Sequence, residues 1–139
     1  VTVGTYLVQR KTVSLEVILV SLVLGLLIAA FLWVNEFPDY RADLASGRRN
    51  LVVKLGRVKA ARVFVGLVVI AGIGSILLPL LGLPAGVWLG ALALVPAAIA
   101  CGILLRYAEV ARQLIPAQSM ALFSFMLYAL GSGIGLLLG

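Results

Sequence analysis

Four long apolar runs leave this chain little freedom in how it folds. The first, Val13–Val34, is 22 residues with a single charge, Glu16, near its start. At about 1.5 Å of rise per residue, a helix of that length crosses the roughly 30 Å hydrocarbon core of a bilayer. Similar runs cover Val63–Leu81, Ala85–Leu105 and Gln118–Leu138. None alternates strictly between polar and apolar residues, and only a helix satisfies its own backbone in lipid without partners. The expectation is an all-α, polytopic bundle of four transmembrane helices in one domain, residues 1–139, with residues 35–62 as its main loop.

Composition agrees. At 63% hydrophobic and 12% charged, the chain departs from the roughly 45–50% apolar and 25% charged usage of soluble domains. A soluble fold of this size has no interior large enough to hide so much apolar surface. Arg10-Lys11 ahead of an apolar run faintly resembles a signal peptide, but the run is too long for one. Val1–Gln9 reads as the continuation of something earlier. The expectation is a fragment or processed chain, with an alternative start codon as the other account.

The residues that are missing narrow the chemistry. There is no histidine and one cysteine, Cys101. His-ligated zinc, Ser-His-Asp triads and an intrachain disulfide are therefore excluded. Any reaction must use carboxylates, Lys, Arg, hydroxyls or backbone. The net charge of +6 is read as topology and contact with phosphates at a membrane surface, not as nucleic-acid binding.

Charge is distributed unevenly. Seven of the eleven Lys and Arg residues fall between Arg41 and Arg62, and Arg106 and Arg112 lie in the loop after the third run. The link around Leu81–Pro84 carries no charge. Alternating helices put both charged loops on one side, which the positive-inside rule makes cytoplasmic, in a cell membrane; Arg10 and Lys11 count against this and are outnumbered. Trp33 and Tyr107 are expected as interface anchors on that side, with Trp88 opposite. Gly82, Gly86 and Gly90, and again Gly131, Gly135 and Gly139, recur every four residues, a spacing that lets backbones approach closely in lipid. Pro96 is expected to kink the third helix.

The stretch Asn35–Asp43 carries the polar chemistry. Asn35, Asp39 and Asp43 are four apart, and on a helix each such step drifts by only about 40°. Pro38 interrupts that helix and leaves Asp39 at the start of a new segment. Two accounts fit these residues. In one they are solvated loop charges, with Arg41 and Asp43 neutralising each other. In the other, two carboxylates and an amide hold Mg²⁺, which takes one or two carboxylates plus substrate phosphates. Arg48, Arg49 and Lys54 would then hold the remaining phosphate oxygens.

The run Asn35-Glu36-Phe37-Pro38-Asp39-Tyr40-Arg41-Ala42-Asp43, followed by Gly47-Arg48-Arg49-Asn50-Leu51-Val52-Val53-Lys54-Leu55-Gly56, resembles the second aspartate-rich motif of the UbiA-type intramembrane prenyltransferases. It is most similar to their menaquinone-pathway branch, the dihydroxynaphthoate polyprenyltransferases. The branch's pattern is approximately N-x-x-x-D-x-x-x-D-x-x-x-G-[KR]-[KR]-T-L-x-V-x-x-G, and Asn50 departs from it by replacing Thr. Gly4–Gln9 resembles the family's approach to the same helix. The resemblance implies a larger bundle, usually of nine helices, in which two aspartate-rich motifs face each other. Mg²⁺ would bridge them to a prenyl diphosphate, whose isoprenyl group passes to an aromatic acceptor in quinone biosynthesis. It further implies Asn35, Asp39 and Asp43 as metal-side ligands, with Asp39 and Asp43 catalytic, and Arg48, Arg49 and, less closely, Lys54 as diphosphate contacts. The first motif has no counterpart, since the only other acids are Glu16 and Glu109. The chain is therefore expected to be the C-terminal part of such an enzyme, inactive without the N-terminal helices.

Other roles are weaker or rival readings. Arg106 and Arg112 are expected to bridge to Glu109, and Phe123, Phe125 and Tyr128 are candidates for a prenyl tunnel. One rival is a non-catalytic membrane subunit or small transporter. A more distant one is a CDP-alcohol phosphotransferase, whose Asp-Gly with a preceding Ala-Arg this chain lacks.

Overall fold

The computed structural model describes residues 14–138, together with Gly4 and Val8. Arg10, Lys11 and Val13 lie outside the described residues, as do Thr5–Leu7, Gln9 and Gly139. Among the described residues there is no strand, and four helices are long and apolar enough to span a membrane. The protein is an integral membrane helix bundle.

Helix α1 runs Leu15–Asn35. Its cap is Ser14, whose hydroxyl accepts from the Val17 N–H at 3.3 Å, and Glu16 sits in the first turn, where the helix dipole favours a carboxylate. The stretch expected as loop contains two short helices, α2 (Tyr40–Ala45) and α3 (Leu51–Leu55). Helix α4 covers Arg57–Leu80 and so starts well before Val63, where the apolar run begins. Gly56, at φ 76°, makes the turn into it, and Arg57, Lys59 and Arg62 are good helix formers that carry the helix beyond the apolar zone.

After the turn at Gly82, a 3₁₀ helix over Ala85–Ala93 passes directly into α5 (Leu94–Tyr107). Nine residues is long for a 3₁₀ helix. Pro96 then falls in the first turn of α5, so a change of helical pitch takes the place of the expected kink within a regular helix. Proline offers no N–H to the turn before it. At this junction the Ser124 hydroxyl donates to the Ala93 carbonyl at 3.0 Å. A 3₁₀ turn, Ala111–Gln113, leads into α6 (Ile115–Leu138).

The tightest packing joins the 3₁₀ helix to α6. A Cβ placed on Gly86 would lie 2.6 Å from the Gly135 carbonyl oxygen, and one on Gly131 would lie 2.5 Å from that of Leu89. Backbone meets backbone, so the glycine periodicity serves contact within the bundle. Gly82 instead makes a turn, at φ 99°. Gly90 faces the ring of Tyr128, which is fully buried. Tyr128 is thus part of the packing and lines no tunnel here; Phe125 packs on Phe31 with ring centroids 5.3 Å apart, and Phe123 is exposed.

Only 28–39% of each span's apolar window is buried against protein. Outward residues such as Leu22, Leu32, Ile70, Ile73, Val95 and Leu130 need acyl chains as their solvent. Substituting Gly135→Val forces the 3₁₀ helix and α6 apart. We expect a loss of about 1–3 kcal/mol, typical of overpacking, read as a lower thermal midpoint in detergent. Gly133→Ala, with open space around it, leaves the midpoint in place.

Candidate functional site

Hydrogen bonds gather the ends of all four spans at the charged end. The Trp33 indole N–H donates to the Ala60 carbonyl at 3.0 Å, joining α1 to α4. Gln118 Nε2 donates to Asn35 Oδ1 at 2.8 Å, joining α6 to α1. Arg57 donates through one terminal nitrogen to the Glu109 carbonyl at 2.7 Å and through the other to that of Phe37 at 3.2 Å. Its guanidinium also lies over the Tyr40 ring, 4.8 Å from the centroid. This face contact offsets a buried Nε that has no hydrogen-bond partner.

Phe37 sets the path of the aspartate turn. It is fully buried among Val34, Val52, Phe64 and Leu104, so the chain leaving α1 is anchored one residue before Pro38. The backbone continues in tight i→i+3 turns, with Phe37 N–H donating to the Val34 carbonyl and Tyr40 N–H to that of Phe37. Asp39 is the N-cap residue of α2, with no side-chain capping bond, and its carboxylate is exposed. Its carbonyl accepts from the Asp43 N–H at 2.8 Å, which keeps both aspartates on one helical segment.

Asp43 differs from Asp39: it is 8% exposed. A buried carboxylate needs donors, and Asn50 supplies one, Nδ2 to Oδ2 at 2.8 Å. Arg48 stands 3.6 Å from the other oxygen, with its own side chain 76% exposed. An ion pair open to solvent to that degree is worth at most about 1 kcal/mol, whereas a hydrogen bond to a charged group is worth about 1.5–3 kcal/mol. Asn50 is therefore the principal partner. The same amide also donates to Glu36, and its oxygen caps α3 by accepting from the Val53 N–H at 2.8 Å. The residue that departs from the expected Thr thus both caps a helix and holds two carboxylates.

The structure corrects one expected ion pair and one that the solvated-charge account contained. Asp43 pairs with Arg48, not Arg41. No bridge forms from Arg106 or Arg112 to Glu109; Arg48–Asp43 is the only ion pair among the described residues. Arg106 instead stacks on Tyr107, 5.4 Å from the ring centroid, and Glu109 contributes its carbonyl to Arg57.

Arg48, Arg49 and Lys54 line one cleft of about 440 Å³, with Gly47 at its rim. Asp39 and Asp43 do not line it; Arg48 connects the cleft to Asp43. Arg57 was not singled out by its sequence context, because nothing distinguishes it there from the neighbouring cations. The one available signal was its place after a glycine at a helix start.

The chain belongs to the UbiA prenyltransferase family, whose model matches residues 1–131. No curated protein and no solved structure matches it. Membership places it among intramembrane prenyltransferases, a family that generally uses Mg²⁺ and whose substrates are prenyl diphosphates and aromatic acceptors. The oxygen donors here are of the right kind for that ion. By themselves they close no metal site: no group of three acidic or cysteine side chains comes together among the described residues, and Asn35 Oδ1 already accepts from Gln118. Asp39 is the unengaged carboxylate.

Arg57→Lys removes the two-pronged contact that ties the Phe37 turn to the Glu109 loop. We expect amide exchange at residues 108–114 and 37–40 to quicken about tenfold or more, while exchange in the middle of α4 stays unchanged.

Proposed function

We propose that this chain supplies the second aspartate-rich half of an intramembrane prenyltransferase that moves an isoprenyl group from a prenyl diphosphate to an aromatic, dihydroxynaphthoate-like acceptor in quinone biosynthesis. The observation that carries this is Arg48, which lines a cleft with Arg49 and Lys54 and also stands 3.6 Å from the Asp43 carboxylate, at the membrane end where Asp39 is exposed. That end would be the cytoplasmic one.

In this reading Asp39 and Asp43 hold the metal side of the diphosphate, and Asn35 adds the second lone pair of its amide oxygen. Magnesium, when bound, neutralises charge on the diphosphate as it leaves. Arg48 and Arg49 donate N–H bonds to the phosphate oxygens, bidentately where geometry allows, and Lys54 adds a point charge. The allylic C–O bond breaks with both electrons going to the diphosphate. The allylic carbon then bonds to a ring carbon of the acceptor, and the ring loses its proton to recover aromaticity. Cations fixed where negative charge grows lower the barrier to that departure.

The opposing aspartate-rich half is proposed to come from helices N-terminal to this sequence, because Glu16 and Glu109 stand alone. Given Mg²⁺, a prenyl diphosphate and acceptor, the isolated chain should give no turnover; measurable product would refute the half-site reading. In an assembled enzyme carrying both motifs, Asp39→Ala or Asp43→Ala should lower the rate of prenyl transfer about 10²-fold or more. Arg49→Ala should act mainly on the KM for the prenyl diphosphate. Unchanged transfer in both aspartate variants would favour a non-catalytic membrane subunit.

A further inference from the structure

A second basic cleft opens at the same end of the bundle, and neither Asp39 nor Asp43 lines it. It has a volume of about 570 Å³ and is lined by Arg41, Arg57 and Lys59 with Glu109 as its one acid. A smaller cleft of about 380 Å³ shares Arg41, Arg57 and Glu109 and adds Arg112. Four cations from three segments thus surround one carboxylate, and Arg41, Lys59 and Arg112 form no ion pair among the described residues. The terminal nitrogens of Arg57 are already used on the Phe37 and Glu109 carbonyls. Arg57 therefore fixes the shape of the cleft, and the other three are free to meet a ligand. The first turn of α4, which forms one wall, has no side-chain cap, adding its positive end to the same field.

We propose that this cleft binds the headgroup of an anionic phospholipid. Such a cluster of cations needs negative charge, and at the end of four membrane spans the abundant source of it is lipid phosphate. The walls favour lipid over free phosphate: Leu55 is 38% and Val58 50% exposed, and both line the cleft beside the cations. Apolar walls gain nothing from a free ion and suit the glycerol and upper acyl carbons of a lipid. The site is separate from the Arg48–Arg49 cleft and does not depend on the transfer reaction.

The test titrates fluorescent phosphatidylglycerol into the chain in neutral detergent, with phosphatidylcholine of the same acyl chains as the comparison. Phosphatidylglycerol should bind more tightly. Arg41→Gln and Lys59→Gln, both at exposed positions where folding is not at stake, should each weaken it about fivefold, the worth of one basic residue near a charged lipid surface. Arg106→Gln, which removes a cation from the same end but not from this cleft, should leave binding unchanged. Retained binding in both cleft variants would overturn the proposal. So would an equal loss in Arg106→Gln, which would mean general surface charge. Displacement by millimolar inorganic phosphate would assign the cleft to a free anion and likewise overturn it.

Discussion

In lipid there is no hydrophobic force to press one helix against another, because acyl chains solvate leucine as well as leucine does. The bundle therefore depends on contacts that lipid cannot imitate, and the closest is backbone against backbone where Gly86 meets Gly135 and Gly131 meets Leu89. That seam fixes α6 against the 3₁₀ helix. Because α6 also supplies Gln118, it fixes where the far end of α6 meets α1. The position of the aspartate turn is thus set by small residues on the other half of the bundle.

At the charged end, polar side chains divide into those used for structure and those left free. Arg57, Asn35, Gln118 and Asn50 spend their donors on carbonyls, amides or carboxylates of the chain itself, Asn35 on the Phe31 carbonyl. Asp39, Arg41, Arg49, Lys54 and Lys59 do not. This division is what a charge-handling surface requires, since mobile charges can follow a ligand only if the frame beneath them is held by something else.

Most of the architecture was legible in the sequence, for a specific reason. A long apolar run in a membrane has one stable conformation, so four runs gave four spans. The errors arose where hydropathy is silent. Arg57, Lys59 and Arg62 are polar yet helical, because a helix need not stop where lipid does. The 3₁₀ pitch of Ala85–Ala93 depends on how closely Gly86 must approach α6, a tertiary fact absent from the local pattern. The identities in the aspartate-rich stretch pointed to the family. They could not say that Asp43 turns toward Asn50 and Arg48 while Asp39 stays open, because that difference follows from the burial of Phe37 and Val52 beneath the turn. The solvated-charge account likewise pairs Asp43 with Arg41, whereas the turn at Gly47 returns Arg48 to it.

The amide pair of Asn35 and Gln118 has a further consequence. Neither group titrates in the range where proteins work, and neither carries net charge for counterions to screen. The contact between the first and last spans is therefore indifferent to acidity and ionic strength, although it sits among charges that respond to salt. A bilayer whose surface potential changes with its lipid composition would alter the electric field at this end while leaving the alignment of the spans as it was.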